Sequence, residues 1–176
     1  MSKPKGIIVF GANGSGKTTL GRELASILNF KHMDIEDYYF EKSEVPYTKA
    51  RSHEDFLNLM LADIEKYHSF VITTVIGNLG DKIPQMYEFG VYLSAPFELR
   101  MKRVKQRSIE LYGERVCEGG DMYEQELKFF DYVASRSLSK IDEWSETLTC
   151  PIIRIDGTKD WRTNAANIAE QYLRSK

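Results

Sequence analysis

The feature that most constrains the fold is a glycine-rich octapeptide that stands between an apolar run and an amphipathic one. Residues 11–18 read GANGSGKT and fit the pattern G-x-x-x-x-G-K-[ST] without a mismatch. Residues 6–10 (GIIVF) precede it, and such a continuous run is typical of a strand buried on both faces. Apolar residues then recur at the spacing of one helix face, at Leu20, Leu24, Ile27 and Leu28. The sequence therefore predicts a strand, a tight glycine turn and a helix in direct succession.

A turn of this kind suits the phosphates of a nucleotide. Glycines let backbone N–H groups approach phosphate oxygens, and the first helical turn adds unpaired N–H groups and the positive end of the helix dipole. We expect Lys17 to reach the β- and γ-phosphates of ATP and the Thr18 hydroxyl to coordinate Mg²⁺. The predicted nucleotide-binding residues here are Gly11, Ala12, Asn13, Gly14, Ser15, Gly16, Lys17, Thr18 and Thr19. An ordinary strand–helix turn with a surface lysine is the alternative, and a dinucleotide fingerprint fits poorly because it needs glycine at Thr19.

The rest of the chain alternates short apolar runs with longer amphipathic ones. Further strands are predicted at residues 30–34, 70–76, 89–94 and 151–155. Helices are predicted after an N-cap at Ser52, from Pro96 to about Tyr112, over residues 123–147 with Leu127 facing inwards, and near the end with Leu173 facing inwards. This alternation indicates an α/β fold of three layers, with a five-stranded parallel sheet covered on both faces. A length of 176 residues suits one domain, residues 1–176.

The composition disfavours several classes of protein. Lys and Arg number 24 against 26 Asp and Glu, so the net charge is −2, which makes a nucleic-acid partner unlikely to be obligatory. The early apolar run is too short for a signal peptide or a membrane span, so no membrane partner is expected. Cys117 and Cys150 form no CxxC pair, which argues against a zinc site or a disulfide scaffold. We expect a cytoplasmic protein that is a monomer or a small homo-oligomer.

At residues 11–18 the sequence resembles the small P-loop kinases, a group that includes nucleoside monophosphate kinases, shikimate kinase and gluconate kinase. As an order of elements, the resemblance extends over nearly the whole chain. It implies a P-loop NTPase fold, a substrate-binding region after the second strand, and ATP and Mg²⁺ as cofactors. It also implies an arginine-bearing lid, which we place around residues 105–125, where Gly113, Gly119 and Gly120 interrupt the helical pattern.

The second predicted strand ends in an acidic run, residues 32–37 (HMDIED). This run looks like the acidic strand end of shikimate-kinase-like members, in which one carboxylate helps to hold Mg²⁺ and a second contacts the substrate. On that resemblance Asp34 is predicted to bind the metal and serve catalysis, and Asp37 to bind the acceptor, while Glu36 points away. A solvated acidic helix start, stabilised by the helix dipole, is the alternative.

The third predicted strand carries no acid, since residues 70–76 read FVITTVI. Many P-loop proteins have a carboxylate at the end of this strand. Because this carboxylate is absent, Asp34 is the expected ligand of the metal, and a dedicated ATP hydrolase is disfavoured. Thr73, Thr74 and Asn78 either line the acceptor site or belong to a strand interior and a turn.

A basic stretch follows the fourth predicted strand, with Arg100, Lys102, Arg103, Lys105 and Arg107, and with Arg115 beyond. It resembles a lid in which arginines close over the phosphoryl group and stabilise its spread charge. Arg103 and Arg107 share a helix face. We predict Arg107 and Arg115 as catalytic and Arg103 and Arg136 as substrate-binding, with a solvated charged face as the alternative.

Two further regions bear on ligands. Asp156 and Gly157 follow the last strand, where the corresponding loop of the family packs against the adenine base; a plain turn is the alternative. Residues 38–47 are rich in aromatic side chains that could stack a nucleobase or only cover a loop. The basic side chains of Lys42, Lys49 and Arg51 could bind an acceptor phosphate. Trp144 and the pair at residues 129–130 (FF) are interpreted as core or hinge packing and not as a platform for stacking a base.

Three functions stay open on these residues. The favoured one is an ATP-dependent kinase that transfers the γ-phosphoryl group to a small-molecule acceptor, either a nucleotide or a hydroxyl-bearing metabolite. The second is a nucleotide-dependent switch or partner-binding ATPase without such an acceptor. The third, a kinase for nucleic-acid ends, is disfavoured by the acidic pI of about 6.0.

Overall fold

Five parallel strands form the sheet that the sequence predicts. The computed structural model describes residues 3–176. The strands are β1 (Lys5–Phe10), β2 (Lys31–Asp34), β3 (Ser69–Thr74), β4 (Tyr87–Ser94) and β5 (Ile152–Asp156), in the spatial order β2-β3-β1-β4-β5. Because the pairs are parallel, the carboxyl ends of the strands lie at one edge, where ligands collect in open α/β sheets.

Helices connect the strands and cover both faces of the sheet, which confirms the three predicted layers. They are α1 (Lys17–Leu28), α2 (Ile35–Tyr39), α3 (His53–Tyr67), α4 (Phe97–Tyr112), α5 (Tyr123–Ser135), α6 (Ser139–Ser145) and α7 (Trp161–Arg174). Two short 3₁₀ turns, Pro84–Met86 and Gly113–Val116, lie before β4 and after α4.

The core has two halves because the side chains of β1 alternate between the two faces of the sheet. Ile7 and Val9 pack with residues of α1 and α7 on one face. Ile8 and Phe10 pack with residues of α3 and α6 on the other. All four side chains are fully buried, so β1 is a central strand and the phosphate loop that follows it rests on a rigid base.

The single long helix predicted over residues 123–147 is wrong. The structure has α5 and α6, separated by a break at residues 136–138. Arg136 adopts an extended conformation, and Ser137 Oγ accepts a hydrogen bond from the Ser139 amide at 3.2 Å. Serine side chains that bond nearby backbone groups compete with helical hydrogen bonds, so the serine-rich sequence at the break ends α5.

Other boundaries shift by smaller amounts. Strand β3 ends at Thr74, whose hydroxyl donates to the Ile76 carbonyl at 2.8 Å as the chain bends. Pro96 is the N-cap of α4 rather than its first helical residue. Ser52 caps α3 as predicted, because its Oγ accepts from the Asp55 amide at 3.1 Å. The leucines expected to face inwards from the last two predicted helices are both exposed, namely Leu127 and Leu173.

The predicted lid, residues 105–125, lies within a hairpin made of α4, the Gly113–Val116 turn and α5. These three elements pack mainly against one another. Whether the segment moves, and whether residues 1–176 act as one domain with this insertion, stay predictions. Within residues 3–176, no helix has the length and apolar character needed to cross a membrane.

Candidate functional site

The loop at residues 11–18 wraps between β1 and α1 in a conformation that needs glycine. Gly14 has φ 78° and Gly16, the N-cap of α1, has φ 101°, and L side chains avoid this region. A Cβ at Gly14 would also collide with the Arg100 carbonyl oxygen. Asn13 Oδ1 and Ser15 Oγ are buried without a hydrogen-bond partner among the described residues. Unpartnered buried polar atoms are costly, so the loop is suited to a ligand that brings polar atoms with it.

Lys17 lies at the start of α1, where its Nζ donates to the Ala12 carbonyl at 3.0 Å. Burial lowers the pKa of Lys17 to about 8; the carboxylates of Glu36 and Asp34 oppose this shift, and the guanidinium groups of Arg107 and Arg136 add to it. The ammonium group has therefore lost much of its hydration. Phosphate oxygens would replace that lost solvent and restore the charged form.

Thr18 and Asp34, the two predicted metal ligands, are in direct contact. Thr18 Oγ1 donates to Asp34 Oδ2 at 2.7 Å. Asp34 is also the N-cap of α2, since its Oδ1 accepts from the Glu36 amide at 3.2 Å. No group of three or more His, Cys, Asp or Glu in residues 3–176 is placed to hold a metal. A Mg²⁺ ion here would therefore share its oxygen ligands between this pair and the phosphates.

Glu36 and Asp37, the two acids in the first turn of α2, point in directions opposite to those predicted. Glu36 lines a cavity next to the loop at residues 11–18, so the expectation that it points away is wrong. Burial raises the pKa of Glu36, and repulsion by Asp34 adds to that rise. Asp37 is exposed and outside the lining of this cavity. Because Asp34 is the N-cap, the second helical residue rather than the third turns towards Lys17.

A cavity of about 660 Å³ opens between the phosphate loop, α2 and the carboxyl end of β3. Thr73, Thr74 and Asn78 line it, and Thr73 and Thr74 are also the last two residues of β3. Much of the remaining wall is aromatic, formed by Tyr39, Phe40, Tyr47, His53, Phe56, Tyr112, Phe129 and Tyr132. Phe129 is therefore a cavity residue and not core. Trp144 is packed as predicted, edge-on against Phe10 at 5.3 Å.

The basic residues proposed for an acceptor phosphate do not reach this cavity. Lys42 and Lys49 are exposed and lie outside its lining. Arg51 donates to the carbonyls of Tyr38 and Phe40, each at 2.7 Å. It therefore holds the backbone of the segment after α2 rather than a ligand.

A second cavity of about 430 Å³ lies along the other side of the phosphate loop and shares Lys17, Thr18 and Arg107 with the first. Arg103 lines it and donates to the carbonyls of Ser15 at 3.3 Å and Gly157 at 3.0 Å. Arg103 thus lines the cavity of about 430 Å³ and not the one of about 660 Å³.

The loop after β5 contributes one of its two predicted residues to this second cavity. Gly157 lines it, and its amide donates to the Ser94 carbonyl at 2.6 Å. Asp156 is exposed, does not line the cavity, and accepts from the Thr158 amide at 2.9 Å. Asp156 therefore shapes the turn that carries Gly157.

The predicted lid arginines divide into two groups. Arg107 lines both cavities, and Arg136 lines the larger one. Arg115 lines neither; it forms a two-point contact with Asp121, at 2.9 and 2.8 Å, and donates to the Glu44 carbonyl at 3.1 Å. Arg115 is thus held by the carboxylate of Asp121 outside both cavities, and its catalytic role stays a prediction.

Sequence reasoning also missed several residues of the site. Arg100 is buried and donates to the Asn13 carbonyl at 3.3 Å, which supports the phosphate loop. Glu126 and Ser108 are buried in the wall of the larger cavity and bonded to each other at 2.5 Å. Trp161 lines the second cavity. A carboxylate on an amphipathic helix resembles any solvated charge, so no sequence signal identifies Glu126.

Comparison with known proteins supports the same architecture. The sequence pattern of a family described as an AAA domain matches residues 7–127, more than half of the chain. The chain is 28% identical over 160 residues to the uncharacterized protein YqaC of Bacillus subtilis, covering 86% of this chain and 88% of that protein.

Two kinases extend the comparison. The bifunctional shikimate kinase/3-dehydroquinate synthase of Thermotoga maritima is 22% identical over 166 residues, which cover 85% of this chain and 32% of that longer protein. The structure of shikimate kinase from Acinetobacter baumannii in complex with shikimate superposes with a TM-score of 0.57 at 21% identity, covering 99% of this chain and 96% of that one. The fold of this chain is that of a small P-loop kinase.

Proposed function

This chain belongs to the AAA domain family, and from that premise we propose that it transfers the γ-phosphoryl group of ATP to a small-molecule acceptor. One observation carries the proposal. Two cavities, of about 430 and 660 Å³, meet at the phosphate loop and share Lys17, Thr18 and Arg107. A kinase needs two substrate sites that join where the phosphoryl group passes between them.

The smaller cavity is suited to ATP. The loop at residues 11–18 would bind the phosphates, with Lys17 as the cation at the β- and γ-phosphates. Arg103 and Gly157 would border the part of the nucleotide beyond the phosphates. Thr18 and Asp34 would hold Mg²⁺, which supplies positive charge that neutralises the phosphate oxygens.

The larger cavity is suited to the acceptor. An acceptor oxygen attacks the γ-phosphorus, the bond from that phosphorus to the bridging oxygen of ADP breaks, and ADP leaves with the bond electrons. Arg107 and Arg136, both near Lys17, would stabilise the charge on the phosphoryl oxygens. When the acceptor is an alcohol, Glu36 would receive the hydroxyl proton, a role that its raised pKa favours.

The same cavity weighs against a nucleotide switch or a partner-binding ATPase. Such proteins act through the nucleotide and a protein surface, and they need no second enclosed site next to the γ-phosphate. A cavity of about 660 Å³ lies within the range of small-molecule sites. It therefore favours transfer to an acceptor.

The proposal is tested by measuring ADP formation with Mg-ATP alone and then with pools of nucleosides, nucleotides and sugar acids. We expect slow hydrolysis alone and a marked increase with one pool. Lys17→Ala should lower the stimulated rate by about 10²–10³-fold, the loss typical of one charge-stabilising donor. Lys66→Ala, an exposed lysine of α3 that lines neither cavity, is the matched control and should leave the rate unchanged. A rate that no pool alters would contradict the proposal.

A further inference from the structure

The acceptor cavity is lined by few lysines and arginines. Among its lining residues these cations are Lys17, Arg107 and Arg136. Lys17 and Arg107 also line the smaller cavity, whereas the Arg136 guanidinium lies over the ring of Tyr132, a residue of the larger cavity's wall, at 5.4 Å. Within residues 3–176, the rest of the cavity wall holds no lysine or arginine. Two of the three cations therefore lie where the two cavities meet, and the third lies against an aromatic ring of the wall.

Much of the remaining wall is made of aromatic rings in mutual contact. The Tyr39 ring meets Phe40 at 4.8 Å and Phe56 at 5.8 Å between centroids. Phe40 in turn meets Tyr47 at 5.3 Å. Phe129 lines the cavity from α5. Such a wall favours a flat, apolar group that can stack on ring faces or meet ring edges.

One buried carboxylate interrupts the apolar wall. Glu126 is 5% exposed, and its Oε2 accepts from Ser108 Oγ at 2.5 Å. No lysine, arginine or histidine among the described residues forms an ion pair with it, and no described hydrogen bond uses its Oε1. A buried carboxylate with spare acceptor capacity favours a ligand that donates N–H groups.

We infer that the acceptor carries an uncharged heteroaromatic base, as in a nucleoside or a nucleoside monophosphate, with the base against the aromatic wall and an N–H of the base donating to Glu126. This inference rests on the proposed function and narrows its acceptor. The 5′ end of such a compound, a hydroxyl or a phosphate, would lie at the phosphoryl end beside Lys17, Arg107 and Arg136.

A carboxylate-bearing alcohol fits the same cavity poorly. Its hydroxyl would have to lie at the phosphoryl end to react, so its carboxylate would extend towards the aromatic wall. That carboxylate would lose its hydration and would approach the negative charge of Glu126, with Arg136, over the Tyr132 ring, as the one cation against the aromatic wall. The chain therefore differs in acceptor class from the shikimate complex whose fold it shares.

The inference is tested by measuring ADP formation with Mg-ATP and single compounds: nucleosides, nucleoside monophosphates, shikimate and gluconate. We expect stimulation by a member of the first two classes, and comparison of those classes identifies whether the hydroxyl or the phosphate accepts. Stimulation by shikimate or gluconate alone would overturn the inference and leave the proposed function standing. Stimulation by no compound would overturn both.

Matched variants test the two contacts with the base. Glu126→Gln keeps a partner for Ser108 but loses the carboxylate, so it should raise the acceptor KM about tenfold or more while the ATP KM is unchanged. Glu124→Gln, an exposed neighbour on α5, is the control. Phe129→Leu should likewise raise the acceptor KM, whereas Phe130→Leu, outside the cavity lining, should not. Equal acceptor KM values within each pair would overturn the assignment.

Discussion

Lys17 links the chemistry of the phosphate loop to pH. Its pKa of about 8 in the free protein reflects lost hydration, and bound phosphates would raise it again. Below about pH 8 the free protein is already protonated at Lys17, so ATP binding takes up no proton there. Above that pH, Lys17 must take up a proton when ATP binds. The affinity for ATP therefore falls as the pH rises, until the pH exceeds the pKa of Lys17 in the complex.

Calorimetry in buffers of different ionisation enthalpy measures this proton uptake directly. We expect uptake near zero at about pH 7 and approaching one proton at about pH 9. Lys17→Arg is the control, because an arginine stays protonated throughout and should remove the uptake at high pH. Absence of uptake at about pH 9 in the unaltered protein would contradict the assignment of Lys17 to the phosphates.

Asp34 is expected to set the Mg²⁺ requirement. Asp34→Asn keeps an N-cap for α2, since asparagine caps as well as aspartate, but replaces an anionic oxygen ligand by a neutral one. The Mg²⁺ concentration for half-maximal turnover should rise about tenfold or more. Asp37→Asn, three residues along and outside both cavities, should leave the Mg²⁺ titration unchanged. Superimposable curves for Asp34→Asn and the unaltered protein would exclude Asp34 from the metal site.

A residue of the site can be predicted from the sequence when nearby residues along the chain set its position. Thr18 and Asp34 were predictable because a motif fixes one and a strand end fixes the other. Glu36 was not, because its direction depends on which residue of the acidic run caps α2. Nor was the contact of Arg115, because its partner, Asp121, is chosen by the fold of the turn.

Among the helices and strands, the α4–α5 hairpin has few contacts with the sheet. It packs mainly on itself, and its outer end meets the segment after α2 through single contacts, such as Gln125 Nε2 to the Pro46 carbonyl at 3.0 Å. Its inner end is held firmly, since Arg100 and Arg103 bond the phosphate loop. This arrangement favours movement of the outer end alone.

We therefore expect hydrogen exchange in residues 105–125 to slow when ATP and acceptor bind together, because phosphates neutralise the mutual repulsion of the cations around Lys17. Backbone amides of β1 and β3 are the internal control and should exchange at the same slow rate with and without ligands. Exchange in residues 105–125 that is equally slow in both states would contradict a lid.

The sequence patterns predicted which strands and helices exist better than they predicted the residues at which each one ends. Strand β1 and helix α1 were predictable because burial and the glycine motif act over adjacent residues. The break between α5 and α6 was missed because amphipathic spacing continues across it, and only the local serine hydrogen bonds end the helix. That break has a consequence for the site, since it is where Arg136 enters the cavity wall.

At the scale of the whole molecule, the order of the strands brings the site together. Strand β1 lies between β3 and β4, so the phosphate loop emerges at the middle of the sheet, with the ends of β2 and β3 to one side and β4 and β5 to the other. The acceptor cavity and the nucleotide cavity lie on these two sides. The sequence predicts such a sheet from its alternation of elements, but the cavity walls come from long-range packing that no local pattern contains.

The central claim is that a phosphoryl group passes between those two cavities. The most direct measurement follows the label from ATP labelled at the γ-phosphorus, in the presence of the acceptor class that stimulates turnover. We expect labelled acceptor to form in the same amount as the ADP above the background of slow hydrolysis, and Lys17→Ala to lower both rates about 10²–10³-fold. Label found only in inorganic phosphate, with ADP formation indifferent to every acceptor, would contradict it.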